Sequence, residues 1–406
     1  MQTDALNNRY RQNLINDLCR LIRIPSRSSL TGGEEGPIQA LVLKRMRAEG
    51  ARVRSFEADD VPGFKTHRLC HGPERNYRGR PTVIGEIGPE NAPALMVLAH
   101  SDTVQINRPC EWTFDPFVGD VCDGMIRGLG AGDDKWGTAT LLTILRALRD
   151  SGRPLRKRLM LISTIDEEHG IGNGTLLLML AGLKAEAALY LDGGAMQVCI
   201  GNLGGSVLEL HPRIPLSSDQ AARDAQRLQA ACQEDSRRRM ALFDRDVYRH
   251  NLARDHSVAF YAVEDAKGVY YLISFCTFPE ESKEMYQKKM ETLAIAALGP
   301  EADHYSIGFW EPWFDSTLIP ATTPLIGYMA SAITDILQRE PTITTISLQD
   351  NFILNKYAGI PTVSFCPHHL TGRGFHHQPD EYISITDAWE GARVAYAAIC
   401  RWLDAK

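Results

Sequence analysis

The chain has 406 residues, 44% hydrophobic and 23% charged, with a formal net charge of -6, which fits a globular protein with more core than one small domain needs. That charge gives no global pull toward nucleic acid or an anionic membrane, so a small-molecule partner is expected. The nine cysteines include no Cys-x-x-Cys pair, no stretch of about eighteen apolar residues is present, and "MQTDALNNRYRQNL" lacks the apolar core of a secretory signal, so reduced thiols and a cytoplasmic location are expected.

In chain order, Leu14, Leu18, Leu21 and Ile22 stand near helical spacing before Pro25, which discourages continuation. A second helix in "IQALVLKRMRAEGARV" stops at Gly50 and leads into a strand around residues 52–56. "PALMVLA", "KRLMLISTI" and "AEAALYL" are short, bounded apolar runs of the kind that form strands buried on both faces, with helical stretches such as "GTATLLTILRALRDSG" between them. Alternating strand and helix predicts an α/β sheet. After Gly201 the texture changes: "GGSVLELH", a long polar helical region, "GVYYLISFCTF" and "EESKEMYQKKMETLAIAAL" predict a smaller inserted unit. Buried-strand character returns with "YAGIPTVSFCP". The expected division is 1–199 with 316–406, interrupted by 200–315.

The three apolar runs end in "HSD", "DEEHG" and "LDGG", at the place where open α/β sheets put their sites. In "HSD" an imidazole and a carboxylate two residues apart share one side of an extended chain, so one can hold a metal while the other orients it. "RGLGAGDDKWG" lacks both G-x-G-x-x-G and a Gly-Lys-Ser/Thr ending, so a nucleotide loop is set aside. What remains is a glycine-rich turn presenting Asp133 and Asp134. Three successive carboxylates, Asp166 to Glu168, repel one another unless a cation or proton relieves them, and a metal is the expected relief. A solvated acidic turn or an acidic helix start gives the same local spelling; the joint occurrence at several strand ends carries the argument.

In order and spelling these pieces resemble the co-catalytic metallohydrolases that include succinyl-diaminopimelate desuccinylase, acetylornithine deacetylase, aminoacylase and the glutamate-releasing carboxypeptidases. Their His-x-Asp reads here as His100-Ser101-Asp102, their glycine-rich Asp-x-Lys-x-Gly segment as Gly128 to Gly137 with Asp133, their Glu-Glu pair as Glu167-Glu168, their next acid as Asp192, and their final His four before Glu as His377 and Glu381. The resemblance implies an α/β fold: a mixed-sheet catalytic domain flanked by helices, with an inserted α+β lid and dimerisation domain. It implies one or two divalent metals per subunit, zinc, manganese or cobalt, with His100, Asp133 and Asp192 on one, Asp133, Glu168 and His377 on the other. Asp102 would orient His100, and Glu167 would act as general acid and base. A homodimer or larger homo-oligomer is expected, as in the relatives.

"HHLTGRGFHHQPDE" holds four histidines. His377 fits the ligand register, whereas His376 fits only after a slip of one residue. His369 and His376 are candidate substrate contacts, and Arg373 is suited to grip a substrate carboxylate through its fork. The lid histidine and lid arginine of the peptidase members have no counterpart: "PRIPLSSD" lacks the first, leaving His250 and His256 as weak substitutes, and Cys276 stands in place of the second. Amide hydrolysis of an N-acyl amino acid or peptide-like substrate is the leading expectation. The alternatives are an aminohydrolase that deaminates a small aromatic amine such as a nitroaminobenzoate, and an inactive scaffold relative.

Overall fold

In the computed structural model, which describes residues 6–265, 268–311, 313–367 and 374–405, the chain falls into two compact units. The first comprises Met1–Ile200, Ile319–Ile343 and Ile353–Lys406; the second comprises Gly201–Leu318 and Thr344–Phe352.

The first unit is built on a mixed sheet. Strands Thr362–Ser364, Ala187–Tyr190, Ala94–His100 and Arg158–Thr164 run parallel as neighbours. Thr82–Ile87 and then Arg52–Phe56 extend the sheet antiparallel at one edge. Every residue of Ala94–His100 is buried, which explains its unbroken apolar spelling: a central parallel strand is covered on both faces. Met96 and Leu98 join Met160, Ile162, Tyr190 and Leu178 in one core cluster, with helix Asn173–Leu180 on that face. Helix Lys135–Ser151 also packs on Ala94–His100, flanked by helices Asn8–Ile22 and Ile385–Asp404. Each fully buried Leu or Ile removed from water contributes about 1.5–3 kcal/mol before chain entropy is subtracted, so these strands are held rigidly at their ends.

Two features then bring distant segments to the carboxyl ends of those strands. The register pairs His100 with Thr164 and Leu98 with Tyr190, so the residues after each strand emerge side by side. A small antiparallel sheet of Asp120–Cys122, Met125–Arg127 and Tyr382–Ser384 draws the C-terminal histidine segment onto the glycine-rich loop. There the Gly128 N–H donates to the Glu381 carbonyl at 2.9 Å.

In the second unit, strands Val258–Asp265, Gly268–Thr277, the later part of Val198–Pro212 and Tyr305–Phe309 form an antiparallel sheet. Leu208, Leu210, Tyr271, Ile273 and Phe275 share a core with Leu228, Tyr286 and Met290 from helices Ser218–Phe243 and Lys283–Leu298. Ser217 and Ser282 cap those helices through the N–H groups of Gln220 and Met285. The polar region expected to be one helical stretch ends as helix at Phe243 and continues as two short 3-10 turns, Asp246–Tyr248 and Arg254–His256. Strand Val258–Asp265 has no counterpart in the sequence reading. It is an edge strand with exposed residues such as Tyr261, although its apolar run "VAFYAV" was a usable signal in the sequence. Among the described residues no helix is long and apolar enough to cross a membrane.

Candidate functional site

His100 ends its strand fully buried. Its Nε2 lies 2.9 Å from Asp133 Oδ1, and its Nδ1 lies 3.0 Å from the main-chain carbonyl of Asp102. The Asp102 carboxylate sits 3.6 Å from the same Nδ1. That carboxylate accepts the N–H of Glu167 on one oxygen and of Glu168 on the other, each at 3.1 Å. Asp102 therefore has two tasks: its carbonyl fixes the imidazole, as second groups around a metal-bound histidine do, and its carboxylate fixes the turn that bears both glutamates.

Asp133 stands at the start of helix Lys135–Ser151. Its neighbour Asp134 is the cap, accepting from the Gly137 N–H at 2.9 Å and from the His100 N–H at 3.1 Å. One aspartate of the pair thus fastens helix to strand and the other is left to the site. His377 comes from the segment before Tyr382–Ser384. That segment is held by the Thr113 N–H and hydroxyl, which donate to Asp380 Oδ1 at 2.7 and 3.0 Å.

One ligand atom each from His100, Asp133 and Glu168 falls in a group whose members all lie within 4.8 Å of one another. His377 Nε2 reaches the same carboxylates, 2.9 Å from Glu168 Oε2 and 3.2 Å from Asp133 Oδ2. It is aligned as a hydrogen bond with neither, and Glu168 Oε1 is likewise buried without a hydrogen-bond partner. Buried polar atoms are paired in the great majority of cases. Two imidazoles and two carboxylates that converge this closely can hold a divalent cation, and this mixed donor set suits zinc, manganese or cobalt.

The electrostatics point the same way. Burial opposes charge on both imidazoles, yet Asp102 and Asp133 hold the pKa of His100 well above its usual value, and Glu168 and Asp133 do so for His377. Against its own burial, Asp133 is held well below the carboxylate range by those two imidazoles. Burial raises Glu168, with His377 opposing.

Asp192 follows strand Ala187–Tyr190, half-buried, and its charge acts on Asp134. Glu167 is also half-buried, and its charge acts on His100. The His376 ring lies against Phe375, with centroids 3.6 Å apart and the planes tilted by 37°. Arg373 and His369 lie outside the described residues. In the second unit His250 and His256 are exposed, and Cys276 is buried opposite Gly205.

Three features escaped the sequence reading. Glu381, quoted only as the end of a motif, is buried and accepts from the Gly132 N–H at 3.2 Å, locking the glycine-rich loop. Burial and the charge of Asp133 push it up to about 8. Lys135 is buried and donates to the Ile24 carbonyl at 2.9 Å; desolvation brings it down to about 7. Asp166 is relieved by buried arginines, Arg75 and Arg80, where a metal was the expected relief for the whole acidic run. The motif of Glu381 was a usable signal, whereas "ERNYRGRP" reads locally as an ordinary polar loop.

The sequence pattern of Peptidase family M20/M25/M40 matches residues 96–401. The chain is 30% identical over 167 residues to the succinyl-diaminopimelate desuccinylase of Beijerinckia indica subsp. indica, a stretch covering 40% of this chain and 38% of that protein. Much less than two thirds of that relative is therefore matched. Human carnosine dipeptidase 1 superposes with a TM-score of 0.72 at 14% identity, over 98% of this chain and 97% of that one. The Bacillus subtilis YXEP protein, a dinuclear metal-binding peptidase, gives 0.58 at 16% identity over 98% and 100%. At such identities these likenesses speak to the fold, an α/β architecture with a large mixed sheet flanked by helices. The family match runs from the strand of His100 into helix Ile385–Asp404 and spans the whole convergent cluster, and this chain belongs to peptidase family M20/M25/M40.

Proposed function

We propose that the chain is a metal-dependent hydrolase of carbon-nitrogen bonds, cleaving the amide of an N-acyl amino acid or small peptide-like substrate. The observation that carries this reading is the convergence of two imidazoles and two carboxylates, His100, Asp133, Glu168 and His377, within hydrogen-bond and ion-pair distances of one another. These four, with Asp192, would hold one or two divalent ions. When bound, such ions lower the pKa of a water and polarise a scissile carbonyl.

The chain's own residues supply the rest. Glu167, tied through its main chain to Asp102, takes a proton from the attacking water and delivers it to the departing nitrogen, a task served by a carboxylate within hydrogen-bond reach. Asp102 keeps His100 in one tautomer through its carbonyl. Arg373, His369 and His376 are assigned to substrate. The desuccinylase similarity, though it covers a minority of each chain, favours amide hydrolysis over ring deamination. Assembly as a homodimer fits the edge strand Val258–Asp265, which among the described residues pairs on one side only.

The test loads the protein with zinc, manganese or cobalt and presents N-succinyl and N-acetyl amino acids, dipeptides and aminobenzoates. Release of amine from the amides is expected, and Glu167→Gln should lose about 10²- to 10⁴-fold in kcat while retaining its metal. Ammonia release from aminobenzoates alone would replace the amide reading with the deaminase one. A metal-loaded protein that turns over none of these compounds would overturn both.

A further inference from the structure

Outside the cluster, one arrangement is built at unusual expense. The Asp166 carboxylate is completely buried and accepts from six donor atoms. Ser28 Oγ and Arg80 Nη2 reach Oδ1 at 3.0 Å each, and Arg75 Nη2 also donates there. On Oδ2 the Tyr77 hydroxyl donates at 2.6 Å, Arg75 Nε at 3.1 Å and Asn173 Nδ2 at 3.5 Å. Arg75, Tyr77 and Arg80 are themselves buried, and Arg80 turns its other edge to Glu35, with Nε 2.6 Å from Oε2. A carboxylate offers about four lone-pair sites, so this one is over-determined. Buried ion pairs contribute little net stability compared with apolar residues of the same volume, and stability alone does not account for the arrangement.

Its position in the chain gives the reason. Asp166 has a φ of +62°, a left-handed conformation that side-chain-bearing residues adopt at a cost and that persists where surroundings enforce it. The next two residues are Glu167 and Glu168. The turn folds back so tightly that a Cβ on Gly170 would collide with the carbonyl and carboxylate of Asp166. Asn173 extends the grip: it accepts the His71 N–H at 3.0 Å and donates to the His71 carbonyl at 2.8 Å. Segment 71–80 thus clamps residues 166–173 from one side while Asp102 holds the N–H groups of Glu167 and Glu168 from the other.

We propose that Asp166 is a positioning residue: the cradle of Arg75, Tyr77 and Arg80 fixes its left-handed backbone, and that backbone sets where the carboxylates of Glu167 and Glu168 stand. This rests on the reading of Glu168 as a ligand, and its test reads metal geometry without needing a substrate. Asp166→Asn keeps the shape and tolerates the left-handed backbone but places an amide among donors. Tyr77→Phe removes a single hydroxyl and serves if the first variant fails to fold.

The probe is Co²⁺, followed by its visible absorption, with circular dichroism and thermal unfolding on the same samples. The expected result is a folded Asp166→Asn protein whose Co²⁺ affinity falls about 10- to 100-fold, the usual cost of removing a group that orients a ligand, with an altered absorption band, and a smaller change of the same kind in Tyr77→Phe. A purely structural network would lower the unfolding temperature and leave the band of the folded protein unchanged. Wild-type affinity and spectrum in folded Asp166→Asn, or in Tyr77→Phe if only that variant folds, would overturn the proposal while leaving the metal site standing. A wild-type chain that binds no Co²⁺ would overturn the metal reading, and this inference with it.

Discussion

At the scale of single residues, the site is a contest between protons and cations. His100 and His377 owe their raised pKa values to Asp102, Asp133 and Glu168, so in the metal-free protein both imidazoles keep a proton above the ordinary imidazole value of about 6.5. A cation needs them neutral. Metal binding should therefore expel protons at pH 7, and affinity should rise with pH as the imidazoles deprotonate. Calorimetry of Zn²⁺ binding in buffers of different ionisation enthalpy measures the number released. His377→Ala should reduce both the release and the affinity, whereas replacing His376, whose ring lies tilted against Phe375, by alanine should leave them near the wild-type values. The opposite pattern would shift the C-terminal ligand by one residue.

At the scale of elements, the site depends on how helix Lys135–Ser151 meets strand Ala94–His100. A Cβ on Gly137 would press into the Asp134 carboxylate and stand 2.8 Å from the Ala99 Cβ. Gly137→Ala should cost about 1–3 kcal/mol through overpacking, and by displacing the Asp134 cap it should weaken metal binding as well. Gly327 offers the contrast. It lies exposed inside helix Pro324–Leu337, where an added Cβ meets nothing within 4 Å. Gly327→Ala should raise stability by about 0.5–1 kcal/mol through helix propensity and leave metal affinity alone. Denaturant unfolding of both variants, with and without metal, checks the pair.

At the scale of the whole molecule, all the assigned ligands belong to the first unit, and the second has its own core around Tyr271, Ile273 and Phe275. A ligand stabilises what it binds: at 100 times its Kd the gain is about 2.7 kcal/mol. Removing metal with a chelator should accelerate hydrogen exchange around residues 94–102 and 164–173 and leave residues 268–277 at their previous protection. Equal loss of protection in both regions would show that the metal supports the whole chain and not the first unit alone.

Much of this was written locally. The parallel strands announce themselves because burial on both faces demands unbroken apolar runs, and polar residues at their carboxyl ends stand where a parallel sheet must place them. His100, Asp133, Glu168 and His377, which the structure brings together, stood out by spelling and order. Other features are set by contacts between segments distant in sequence. The motif singles out Asp133, but the task of its neighbour Asp134, which caps the helix and fastens it to the strand of His100, appears only in the packing. Three adjacent carboxylates read as one acidic patch until Arg75 and Arg80, some 90 residues earlier, claim Asp166. The edge strand Val258–Asp265 also carries an apolar run, "VAFYAV", but only its place in the sheet, paired along one side, shows that part of that run, such as Tyr261, is exposed. The sequence by itself determined which chemical groups are present and which strands carry them, because hydrophobic pattern and motif are properties of neighbours along the chain. The tertiary structure decided which charge neutralises which, because in a buried setting that depends on distances of a few ångströms between residues the chain keeps far apart.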